Sequence, residues 1–132
     1  MDIRDAVEDD AERLAALANG PPDVMRNLVH DRTVRVAEED DDTVGFVSFD
    51  AERGTVHVTQ LAGTSEACEK LLTDPIEFAR REHMSVELLI PEDEAQVRSA
   101  VEAVGFSSAG SGPRFDGQPT TRYRLEPERA EH

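Results

Sequence analysis

The chain has 132 residues, 29 acidic against 14 basic side chains, a formal net charge of −15 and one cysteine. At this length one hydrophobic core buries about two-thirds of the unfolded surface, so a single domain over 1–126 is expected, with a disordered tail over 127–132. The lone Cys68 excludes an intramolecular disulfide and a cysteine-based zinc cluster, and basic residues scattered among acids exclude the phosphate-binding stripe of a nucleic-acid-binding protein.

Lys70 is the only lysine, so the basic positions are almost all arginine. In molar salt the screening length is only about 3 Å and crowded carboxylates cost little, so this surface reads as one adapted to brine. No charged start with an apolar run marks a signal peptide, and no stretch of about eighteen apolar residues marks a membrane span. A soluble, cytoplasmic protein is expected.

Ile3 and Val7 place an edge strand over Met1 to Val7, and Asp9 with Glu12 three residues on forms a capping box for a helix carrying Ala11, Leu14, Ala15 and Ala18 on one face. Asn19-Gly20-Pro21-Pro22 ends it, the glycine as a left-handed cap. A second short helix carries Val24, Met25, Leu28 and Val29, and a strand follows over Thr33 to Glu38. The run Glu39-Asp40-Asp41-Asp42 has the oxygen ligands of a divalent-cation site, but in a hairpin tip it reads as solvated charge, and no metal is expected.

Val44 and Phe46 share one face of the next strand and Val47 and Phe49 the other, so helices must cover both sides. After a turn at 50–54, Val56 and Val58 alternate with polar residues up to Leu61, which completes an antiparallel meander. The period then changes from two to about 3.6 around Gly63, with Ala67, Leu71 and Leu72 at helical spacing. Thr64 or Ser65 can cap that helix, and the free amides at such a junction favour a phosphate or carboxylate. Asp74-Pro75 breaks the helix within 73–75 and restarts it through Glu82. A buried strand over Met84 to Ile90, a helix from Glu92 or Asp93 to Gly105, a loop over 107–119 and a last strand with Thr121, Tyr123 and Leu125 complete the chain.

Three segments in this order resemble the GCN5-related N-acetyltransferase (GNAT) family: Ile3-Arg4-Asp5-Ala6-Val7-Glu8-Asp9-Asp10-Ala11, Val44-Gly45-Phe46-Val47-Ser48-Phe49 and Val101-Glu102-Ala103-Val104-Gly105-Phe106. The resemblance implies an α+β fold layered α/β/α, its mixed, largely antiparallel sheet of about seven strands flanked by about four helices. It also implies acetyl-CoA as co-substrate, with the pyrophosphate on Gln60, Leu61, Ala62, Gly63, Thr64 and Ser65. Of the family pattern Q/R-x-x-G-x-G/A, Gln60 and Gly63 match and Ser65 replaces the second glycine. An ungapped count back from Ile76-Glu77-Phe78-Ala79-Arg80 instead sets Glu66 and Cys68 at the glycines. Val101 stands where the family's tyrosine acid is usual, which leaves Tyr123 as the only tyrosine to donate a proton.

His57 is the first choice as base for the incoming amine, with Glu52 or Glu38 acting through a water as alternatives. Arg80, Arg81 and Arg98 are the nearest cations for a CoA phosphate, while helix-end contacts account for His30 and His83. Two functions follow: acetyl transfer to a small-molecule or peptide amine by direct attack, in a monomer or homodimer, or a non-catalytic protein that uses the same groove to bind a ligand or another protein.

Overall fold

The central strands carry apolar side chains on both faces, and such a sheet is stable only with helices on either side. The computed structural model, which describes residues 1–18, 20–114 and 117–126, has that arrangement. Its strands are β1 (Asp2–Asp5), β2 (Thr33–Glu39), β3 (Asp42–Glu52), β4 (Thr55–Gly63), β5 (Ser85–Pro91), β6 (Ser107–Ser111) and β7 (Thr120–Leu125). They form a seven-stranded sheet in the order β1-β2-β3-β4-β5-β7-β6. All neighbours are antiparallel except β4 and β5, which run parallel. The chain thus adopts the expected α+β architecture with its mixed, largely antiparallel sheet.

Helices α1 (Ala11–Ala18) and α2 (Pro22–Asp31) press Leu14, Ala15 and Met25 against Val34, Val36 and Phe46 on one face. Helices α3 (Ser65–Leu71), α4 (Thr73–Glu82) and α5 (Ala95–Ala103) cover the other. There Leu71, Leu72, Ala79, Ala100 and Val101 meet Val47, Val56, Val58, Val86 and Leu88. Each fully buried Leu or Val contributes roughly 1.5–3 kcal/mol, so these two layers hold the sheet between them.

Several local expectations are corrected. Asp10, not Asp9, closes the first turn: its carboxylate accepts the Val7 amide at 2.8 Å and both terminal nitrogens of Arg4 at 2.8 and 2.9 Å. That guanidinium holds the Asp10 carboxyl below its ordinary range. Gly20 has no left-handed φ; Pro22 instead opens α2 at its first position, where a missing amide costs nothing. The acidic hairpin tip is a tight turn with φ 51° at Asp40 and 68° at Asp41. The helix break falls at Leu72, one residue before 73–75, and Asp74 bonds Arg35 at 2.9 Å instead of capping α4. The expected loop contains β6, an edge strand of exposed small residues with no apolar period to announce it. The tail from Pro127 lies outside the described residues.

Candidate functional site

The junction between β4 and α3 is built on glycine. Gly63 has φ +128°, and a Cβ there would lie 2.3 Å from the Val44 carbonyl oxygen and 2.5 Å from the Gly45 Cα. Its partner across the strands is Gly45, where a Cβ would lie 2.8 Å from the Ala62 carbonyl oxygen and 3.0 Å from the Ala67 Cβ. The pair lets β3, the end of β4 and α3 close together, so the bare backbone of Gly63 serves the sheet itself. Thr64 caps α3, its hydroxyl accepting the Ala67 amide at 3.1 Å, while its own amide bonds the Val44 carbonyl. Among the described residues the amides of Ser65 and Glu66 have no acceptor within the protein. These are the two donors of the turn that an anion could take.

The strand before this junction is bent by a bulge. Ser48 pairs with Gln60 and Phe49 with Val58, which leaves Thr59 as an extra residue on β4. The Thr59 hydroxyl donates to the Ser48 carbonyl at 3.2 Å and lies 2.8 Å from the fully buried Ser48 hydroxyl, which is therefore the donor between the two. A bulge turns its strand away from the sheet plane. The consequence appears on the other edge of β4, where parallel pairing with β5 runs from Thr55↔Ser85 to Val58↔Leu88 and then stops. Beyond it, residues 59–63 of β4 and 89–91 of β5 diverge, and their main-chain groups border an open groove of about 1110 Å³. Val58, Leu88 and Val97 line it on the α5 side and His57, Thr59, Glu87 and Arg122 on the opposite face, so the groove passes through the sheet.

The structure brings together His57, Gln60, Leu61, Ala62 and Gly63, all of which line the groove, with Thr64 and Ser65 following at its end. His57 is half-buried and pairs with Glu87 of β5. Glu52 is not brought there: it is exposed at the β3–β4 turn opposite Thr55, about 17 Å along the strand from Gln60. Tyr123 is on the helix-covered face, 3% exposed, and its hydroxyl donates to Glu102 at 3.0 Å. Burial, then Glu102, push that phenol's pKa upward, so it is an engaged core residue and stands apart from His57. Val101 is fully buried in the same core cluster. Cys68 is buried at α3 with its thiol pushed up to about 12, chiefly by burial, and is no nucleophile at neutral pH.

Sequence reasoning missed Glu87, Arg122 and the bulge. Glu87 and Arg122 sit on strands read as packing elements, and a bulge exists only relative to a partner strand. No helix among the described residues is long and apolar enough to cross a membrane.

No protein-family model matches the sequence, and no curated protein matches it either. Solved structures do. An acetyltransferase of the GNAT family from Bacillus cereus ATCC 10987 is 16% identical with a TM-score of 0.73, covering 97% of this chain and 98% of its own. Ribosomal-protein-alanine N-acetyltransferase from Brucella melitensis is 18% identical with a TM-score of 0.74, over 96% and 99% of the two chains. The yncA protein of Salmonella typhimurium, solved with its cofactor acetyl-CoA, is 20% identical with a TM-score of 0.75, over 98% and 95%. At such identities the likeness is one of fold, and the fold of this chain is that of the GNAT acetyltransferases.

Proposed function

We propose that the chain is an acetyl-CoA-dependent N-acetyltransferase of the cytoplasm. The observation that carries this reading is the divergence of β4 from β5 after Val58 and Leu88, which, among the described residues, leaves strand-edge amides and carbonyls of β4 without a partner strand along a through-sheet groove. An amide-rich chain such as pantetheine can complete that edge as an added strand does. In this reading the pyrophosphate rests on the Ser65 and Glu66 amides. Ser65 in place of a glycine keeps an amide donor there, while the Glu66 carboxylate works against the phosphate charge.

The amine enters from the open face, where His57 takes its proton, and attacks the thioester carbonyl near Gln60 to Ala62. Main-chain amides of β4 stabilise the oxyanion as the carbon–sulfur bond breaks. With Tyr123 held by Glu102, the leaving thiolate takes its proton from solvent; an unperturbed thiol has a pKa near 8.5, so it leaves readily as an anion. That engaged tyrosine and the buried Val101 also favour a second reading, a non-catalytic protein that binds acetyl-CoA or another ligand in the same groove.

Release of free CoA from acetyl-CoA in the presence of a panel of amines separates the two. Transfer requires amine-dependent release, with His57→Gln lowering kcat by about a hundredfold or more while the KM for acetyl-CoA stays nearly constant. Binding of acetyl-CoA without amine-dependent release would leave the non-catalytic reading standing.

A further inference from the structure

The walls of the groove on the open face follow from strand alternation. In β5, Leu88 and Ile90 belong to the core beneath α5, so Leu89 between them points to the opposite face. It lines the groove there and is seated against bare backbone: a Cβ on Gly112, just past β6, would lie 2.6 Å from Leu89 Cδ2. On the β4 side of the gap, the last turn of α1 brings Leu17 and Ala18 to the groove, packed on the same sheet face as Ala62. Apolar side chains thus border the groove from both strands on the face where His57 stands.

The charged side chains of that face are turned on one another. Glu87 pairs with Arg124 at 2.7 Å and with Arg122 at 3.7 Å, and Arg124 also pairs with Glu126. Asp93 and Glu94 precede α5, which covers the other face. A molecule bringing a second charge to this side would have to break one of these pairs or leave its charge against leucine. An apolar group gains by leaving water for the same wall, in proportion to the area it buries. A mostly apolar lining with a few placed polar groups is the usual make-up of a small-molecule site, and here His57 is the polar group that can receive a proton.

We propose that Leu17 and Leu89 are specificity-determining residues that hold the apolar body of the acceptor, a primary amine with a branched aliphatic or aromatic group and no second charge. This rests on the acetyl-transfer reading, in which the amine enters from the open face. The two leucines bind that body while His57 takes the proton of the amine, and Gly112 leaves the room in which Leu89 lies back from the groove.

The test measures CoA release from acetyl-CoA with phenethylamine and isopentylamine and, in parallel, with ethanolamine and 1,4-diaminobutane, for the native protein, Leu17→Gln and Leu89→Gln. The native protein is expected to show a kcat/KM at least about tenfold higher for the two apolar amines than for the two polar ones. In each variant, with an unchanged circular dichroism spectrum, that ratio is expected to fall at least about fivefold while the KM for acetyl-CoA stays as in the native protein. A native protein that uses ethanolamine or 1,4-diaminobutane as well as the apolar amines, or folded variants that keep the full preference, would overturn the proposal and leave acetyl transfer itself standing. A rise in the KM for acetyl-CoA with the amine preference unaltered would place the leucines at the thioester instead and likewise overturn it. Failure of the native protein with every amine would remove the transfer reading, and the proposal with it.

Discussion

At the scale of single residues, Gly63 changes meaning between sequence and structure. In the sequence it is a glycine at a strand-to-helix turn, and the ready explanation is that a phosphate must approach it. The structure gives a nearer cause, the Val44 carbonyl 2.3 Å from where a Cβ would be. That contact is eighteen or more residues distant along the chain, so local pattern cannot disclose it. Gly63→Ala is therefore expected to destabilise the fold by about 2–4 kcal/mol, from a left-handed backbone angle and overpacking together. A urea midpoint equal to that of the native protein would show that the turn relaxes freely. The same contact makes Gly63→Asp uninformative about phosphate binding, because loss of fold and loss of ligand would coincide. The capping hydroxyl of Thr64, by contrast, was legible, since Thr-Ser before helical spacing is a local signal that tertiary contacts did not override.

At the scale of elements, β3 and β4 were readable from their apolar alternation, and so was the meander they form with β2. The feature that opens the groove was not. Thr59 continues the polar side of the alternation in β4, and only its pairing with β3 shows that it is an inserted residue. Its hydroxyl and that of Ser48 satisfy each other in a site where water does not reach Ser48. Thr59→Val is expected to cost about 1–2 kcal/mol, because the buried Ser48 hydroxyl loses its acceptor. Adding Ser48→Ala removes the orphaned group, so the double variant is expected to be more stable than the sum of the single losses implies. Strictly additive losses in thermal or urea melts would mean that the two hydroxyls do not depend on one another. β6 marks the opposite limit: an exposed run of Ser, Ala and Gly carries no hydrophobic period, and it is a strand only because the edge of β7 is there to pair with it.

At the scale of the whole molecule, the net charge of −15 was plain from composition, and the structure shows which of the 29 acidic side chains the arginines pair with. Arg4 with Asp10 and Glu38, Arg35 with Asp5 and Asp74, and Arg124 with Glu87 and Glu126 are networks joining separate elements. Exposed pairs of this kind contribute little singly, and the remaining acids repel one another until salt screens them. The melting temperature is expected to rise with potassium chloride into the molar range, by at least about 4 °C, the shift that roughly 1 kcal/mol produces in a domain of this size. A melting temperature indifferent to salt would mean that the acidic surface is no adaptation to brine.

The account turns on whether the groove between the diverging ends of β4 and β5 holds acetyl-CoA with its pyrophosphate at the start of α3. Isothermal titration in molar potassium chloride, on the native protein and on Ser65→Glu, tests this most directly. A glutamate in the first turn of a helix suits the helix dipole, so this variant is expected to fold as the native chain does while placing a carboxylate at the free amides. Micromolar affinity for the native protein, weakened at least about tenfold in Ser65→Glu, is the result the account predicts. No heat of binding to the native protein, or an affinity unaltered by the glutamate, would contradict it.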